Sequence, residues 1–238
     1  MSLVERLALM LLPRIFLESP QLLLDGPKQE AFAALYAAQV APGGGGEIAY
    51  TLPYPKHEFL RYAVTHNEVL LHGTNRADIA ALEPRPQTDY SGRPTSAVFA
   101  SGDGIWPFFF AVLDHARFRG SLRNGCFVVG RPGAPERRFY FFSVSAAMLA
   151  QGCWTGGNIY LLPRTTFART DVGRVRFDEW ASPELVRPLA RLAVAPEDFP
   201  FLHQVTGHES KEPIFVSWLR YKARIRHSYA CAPGGMAV

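Results

Sequence analysis

Val69-Leu70-Leu71-His72-Gly73-Thr74-Asn75 decides how the rest of the chain is read. Three consecutive apolar residues suit a strand buried on both faces, and the run stops at a histidine, a glycine and two small polar residues. Packing at the strand end would fix the His72 ring and leave one nitrogen to donate into a cleft. Gly73 carries no side chain to block a ligand from the backbone. Thr74 and Asn75 offer short hydrogen-bonding groups suited to a ribose or an amide. The plainer alternative is an ordinary strand-to-turn junction, where such residues are common.

Working outward, residues 2–12 carry a helical apolar stripe that Pro13 ends, and residues 27–40 read as a second helix with Pro27 in its first turn. Gly43–Gly46 has no following Gly-Lys-Ser/Thr, so it reads as a linker rather than a phosphate loop. Residues 1–42 are therefore expected to form a helical N-terminal extension, 47–228 the main domain and 229–238 a flexible tail. A helix from Lys56 to Val64 leads into the quoted strand. Residues 83–96, rich in Pro, Asp, Gly and Ser, read as a long loop, followed by a strand at Ala97–Ala100 and an apolar helix at Ile105–Leu113.

The second half reads as sheet-rich. Short runs at Cys126–Val129, Arg138–Val144 and Ile159–Leu162 are β-branched or aromatic, with a short helix at Ala146–Ala150. Val186–Val194 reads as a strand that Pro188 would put at an edge or a bulge. Between Val216 and Arg226, Arg220, Lys222, Arg224 and Arg226 alternate with apolar residues, which predicts a strand with one basic face. That face suits either solvent or phosphate.

Composition bounds the function classes. With 48% hydrophobic and 19% charged residues the chain is too apolar for disorder, and 238 residues can bury a large core. A net charge of +4 permits nucleic acid or nucleotide partners without requiring them. Three widely spaced cysteines indicate neither a zinc site nor a disulfide framework, so reduced thiols in a cytoplasm are expected. The apolar patch Ala8–Leu12 is too short to span a bilayer, and no membrane partner is expected. His57-Glu58 lacks a second histidine at position 61, and neither a Gly-x-Ser-x-Gly nor a Gly-x-Gly-x-x-Gly motif occurs. No metal site is expected.

The order Leu-Leu-His-Gly-Thr-Asn, a loop, then Ala-Val-Phe-Ala-Ser before an apolar helix resembles the core of the ADP-ribosyltransferase superfamily over residues 68–194. It is similar to the rifampicin-modifying bacterial branch and, more distantly, to RNA 2′-phosphotransferases. The resemblance implies an α+β fold with a split sheet around a cleft, NAD as substrate, and an acceptor of small-molecule, nucleic acid or protein class. It implies that His72 bonds the NAD ribose, Gly73 the nicotinamide amide through its backbone, and Thr74 and Asn75 support that grip. Phe99 takes the place of the stacking aromatic, usually tyrosine, and Ser101 follows as the small polar residue. The acidic residue that assists transfer falls on Glu179, Glu184 or Glu212, with Asp171 a fourth position. Arg85 and Tyr90, in the 83–96 loop, would close over the ligand, with an arginine on the pyrophosphate. The same resemblance admits a chain that binds a nucleotide or partner without turnover, and RNA 2′-phosphate transfer served by the basic face at 220–226.

Overall fold

The computed structural model describes residues 3–89, 92–131, 133–170 and 175–230, so Tyr90, Asp171 and most of the expected tail lie outside the described residues. In chain order come α1 (Leu3–Ile15), β1 (Leu17–Glu18), α2 (Gly26–Gln39), β2 (Gly46–Glu47), α3 (Lys56–His66) and β3 (Val69–Thr74). Next are β4 (Arg85–Thr88), β5 (Pro94–Ala100), α4 (Trp106–Val112), β6 (Leu122–Arg131), β7 (Ala134–Ser145) and α5 (Ala146–Ala150). The last are β8 (Gly157–Pro163), β9 (Ala168–Arg169), β10 (Val175–Phe177), β11 (Trp180–Ser182), β12 (Ala190–Val194), β13 (Thr206–His208) and α6 (Ile214–Ala230). Helices and sheets are mixed through the chain, an α+β architecture.

Three sheets form. They run β1-β7-β6-β10 with β13 added on β7, β4-β5-β11-β9, and β2-β12-β8-β3. The quoted run explains how two of them stack. Val69 and Leu71 face a large core with α3 and α4, whereas Leu70 joins Tyr160, Leu162, Val98, Ala100 and Trp180 in a second core between β3–β8 and β5–β11. Alternation of side chains across a strand thus feeds both layers from three residues. The β6–β7 hairpin behaves likewise. Tyr140, Phe142 and Val144 face the large core, and Phe139 and Phe141 face a third core closed by α1 and α6.

Three expectations are corrected. Residues 216–226 form part of helix α6, not a strand. Trp218, Tyr221 and Ile225 pack on the third core at helical spacing, while Leu219, which the alternating pattern would have counted as buried, is 71% exposed. Residues 83–96 are not a structureless loop, because β4 pairs antiparallel with β5 from Arg85↔Ala97 to Thr88↔Pro94. β4 is an edge strand exposed along its length, which accommodates Pro86 and removes the apolar alternation by which a strand is recognised. The strand expected at 186–194 begins only after Pro188, at Ala190, and lies between β2 and β8 rather than at an edge, while Val186 makes an isolated bridge to Leu82. Among the described residues no helix is long and apolar enough to cross a membrane.

Candidate functional site

The cleft opens where β3 and β5 part. Leu71 and Ser101 exchange both main-chain hydrogen bonds at 2.9 Å, and among the described residues this is the one bridge between the two strands. The next antiparallel position would set Gly73 against Phe99, but the Phe99 carbonyl accepts instead from His72 Nδ1 at 2.8 Å. The histidine ring therefore stands where sheet pairing would otherwise continue. Successive residues of a strand turn their main-chain groups to opposite edges, so the Gly73 N–H and C=O face the same edge as those of Leu71. Because β3 is the last strand of its sheet, that edge borders the cleft.

A carbonyl only accepts, so His72 carries its proton on Nδ1. Burial pushes its pKa down, the Phe99 hydrogen bond opposes this, and the Arg85 charge adds to the lowering. The ring is neutral near pH 7, which leaves Nε2 as an acceptor rather than the donor expected from the sequence. A ribose hydroxyl is a fitting partner. Gly73 has a second reason to be glycine: a Cβ there would lie 1.9 Å from the Pro107 carbonyl oxygen of α4. Its bare backbone admits the helix on one side as well as leaving the cleft edge clear.

A cavity of about 690 Å³ occupies this place, within the usual range for small-molecule sites. His72 and Gly73 line it from β3, Phe99 from β5, and Ser101 and Glu179 from the adjoining segments. Trp106 and Phe110 form one wall; Arg123, Asn124, Phe127 and Trp218 form the other. A second cavity of about 450 Å³ shares His72, Gln87 and Phe99 and adds Thr74, Arg76 and Arg85. Both therefore border the His72–Phe99 contact.

The sequence-derived residues separate accordingly. His72, Gly73, Phe99, Ser101 and Glu179 converge on the large cavity, and Thr74 and Arg85 line the adjoining one. Glu179 is steadied by Thr170, whose Oγ1 donates to Oε1 at 2.9 Å. Ser101 is committed to structure, since its hydroxyl donates to Asp178 at 2.8 Å and accepts from the Asp103 N–H at 3.0 Å. Asn75 ties the end of α4, donating to the Ala111 carbonyl at 2.6 Å and accepting from the His115 N–H at 2.9 Å. Glu184 is exposed beyond β11, where its backbone N–H bonds Ser182, and lines neither cavity.

Glu212 lies behind the cavity wall. Its carboxylate accepts from Arg224 and Ser217, while its carbonyl accepts from Arg123. The Arg224 hydrogen bonds hold its pKa down to about 2, against the usual 4.5, with burial opposing and Ser217 assisting. A depressed carboxyl pKa stabilises the fold above the usual value and loses that contribution as pH falls through the folded value. Thermal melts from pH 5 to about pH 2 should therefore fall more steeply for the native chain than for Glu212→Gln. Equal slopes would remove the Arg224 pairing from the account.

Sequence reasoning missed the polar cluster beneath the cleft. Asp103 accepts from the Ile105 and Trp106 N–H groups at 3.1 and 2.7 Å and from Tyr140 Oη at 2.8 Å, with Arg138 Nε 3.5 Å away. Burial raises the Asp178 pKa and Arg138 opposes that rise. Burial also works against the Arg138 charge, which Asp178 and Asp103 more than restore. The sequence signal was an Asp three residues before Trp106-Pro107, a helix-start pattern. Asn124 was missed too. Trp106 Nε1 donates to its Oδ1 at 2.7 Å, so the Asn124 amide keeps its N–H donors for other partners.

Comparisons with protein-family models, curated proteins and solved structures found no match.

Proposed function

We propose that the chain is an NAD-dependent ADP-ribosyltransferase whose sheets split around the cleft as in that superfamily. The observation that carries this reading is the convergence of His72, Gly73, Phe99 and Glu179 on one cavity at an open strand edge. In this reading Gly73 bonds the nicotinamide amide with its N–H and C=O, and Phe99 stacks on the nicotinamide ring. His72 Nε2 accepts from a ribose hydroxyl. Arg85, in the adjoining cavity, meets the pyrophosphate. As the bond between nicotinamide and ribose C1′ breaks, positive charge develops on the ribose, and the Glu179 carboxylate stabilises it. The acceptor oxygen or nitrogen then bonds C1′ and releases its proton, while nicotinamide leaves.

Calorimetric titration of NAD and measurement of nicotinamide release, with water as acceptor, test this without knowledge of the natural acceptor. The native chain should bind NAD. His72→Ala should bind it roughly tenfold more weakly, the equivalent of about one hydrogen bond. Neither binding nor release by the native chain, or indifference to His72→Ala, would overturn the reading. A second reading, nucleotide binding without turnover, is favoured by the missing hydroxyl of Phe99. It predicts NAD binding with no nicotinamide release, unchanged in Phe99→Tyr. RNA 2′-phosphate transfer rested on a basic strand at 220–226; that segment is helical and Arg224 is engaged with Glu212, so no particular observation favours it.

A further inference from the structure

At the start of β6, beside the cavity-lining Leu122 and Arg123, an exposed serine hydroxyl meets a buried histidine. Ser121 Oγ lies 2.6 Å from His208 Nε2, and His208 Nδ1 lies 2.7 Å from Ser143 Oγ. Ser143 Oγ in turn donates to the Thr206 carbonyl at 3.0 Å. That last bond uses the Ser143 proton, so Ser143 accepts from His208 Nδ1–H. His208 Nε2 is then an acceptor, and the Ser121 hydroxyl donates to it. A nucleophile, a base and a group that orients the base stand in sequence, the arrangement by which a serine is activated. Two features set the dyad for chemistry. His208 is 1% exposed and held in one tautomer, while Ser121 is open to solvent. Arg123 lies two residues along the same extended chain, and burial first and then the Arg123 charge push the His208 pKa down to about 4, so the imidazole is neutral and able to accept the serine proton.

We propose that Ser121 and His208 form a nucleophile–base pair acting on small carboxylic esters, separate from ADP-ribosyl transfer and not dependent on it. Ser121 Oγ bonds the ester carbonyl carbon as its proton passes to His208 Nε2. The ester C–O bond breaks, and the leaving alcohol takes that proton from Nε2. Water, deprotonated by the same nitrogen, then releases the acid and restores Ser121. Arg123, whose guanidinium is held by the Ser217 hydroxyl and the Glu212 carbonyl, contributes only its positive charge to that side of the chain.

A fluorophosphonate probe on the full chain, with the labelled residue mapped by peptide mass spectrometry, tests the pair. Ser121 should be labelled, and Ser121→Ala should abolish labelling while leaving NAD binding unchanged. His208→Gln should slow labelling about a hundredfold. If circular dichroism shows that variant unfolded, Ser143→Ala, which removes the orienting acceptor together with the hydroxyl's bond to the Thr206 carbonyl, should still slow it at least tenfold. No label at Ser121, or an undiminished rate in the folded variants, would overturn the proposal. Loss of NAD binding or nicotinamide release elsewhere in the cleft would not bear on it.

Discussion

Gly157→Ala should lower stability by about 3 kcal/mol, near the upper end of what overpacking a core costs. In a chain of this length that corresponds to a fall in melting temperature of roughly 6–12 °C. A Cβ at Gly157 would lie 1.8 Å from the Ala111 carbonyl oxygen and 2.9 Å from that of Thr74. Both obstacles are backbone, so no rotamer change can relieve them. Gly157 and Gly73 are the two places where β8 and β3 let α4 lie directly on the sheet, and α4 carries Trp106 and Phe110 into the cleft wall. Gly157 is the better test because it lines neither cavity, so a change there reads helix seating without touching a ligand contact. A melting temperature within a degree or two of the native chain would mean that α4 does not approach so closely.

Much of the scaffold was legible because its signals are local. Val69-Leu70-Leu71 had to be buried on both faces, and it is. The β-branched and aromatic runs at 126–129 and 138–144 announced strands, although pairing as the β6–β7 hairpin extends them well beyond the residues that gave them away. The α6 segment was misread because two periods coincide in it. Trp218, Tyr221 and Ile225 serve a helix, while Leu219, Tyr221, Ala223 and Ile225 serve a strand. The order in which the surrounding layers pack decides between them, and that is not a local property. β4 was invisible for the opposite reason, since an exposed edge strand with a proline has no apolar pattern to read.

The candidate cavity was legible in part of its lining and hidden in its support. His72, Gly73 and Phe99 announce themselves by residue type at a strand end. The Asp103–Arg138–Asp178 cluster is assembled from three separate elements and leaves only the helix-start signal at Asp103. Gly73 was ambiguous in principle. Glycine permits close approach by anything, and here the neighbouring helix claims one side of it. The choice among carboxylates depended on a single step of alternation. Asp178 is 3% exposed and turns to the polar cluster, so its neighbour Glu179 turns the other way, into the cavity.

That alternation leads to the largest expected effect on rate. Glu179→Gln should slow nicotinamide release about 10²–10³-fold while leaving the affinity for NAD within a few-fold, because the carboxylate is needed only as charge develops on the ribose. Glutamine keeps the Oε1 that accepts from Thr170 Oγ1, so the side chain should hold its position while losing its charge. Thr170→Val then separates position from charge. It leaves the carboxylate and removes its hydroxyl donor, and should reduce the rate by a smaller factor, about tenfold, at unchanged NAD affinity. If Glu179→Gln lost affinity and rate together, the residue would be a ground-state contact. If neither changed, the carboxylate would have no part in the transfer, and the Glu179 step would be removed from the mechanism.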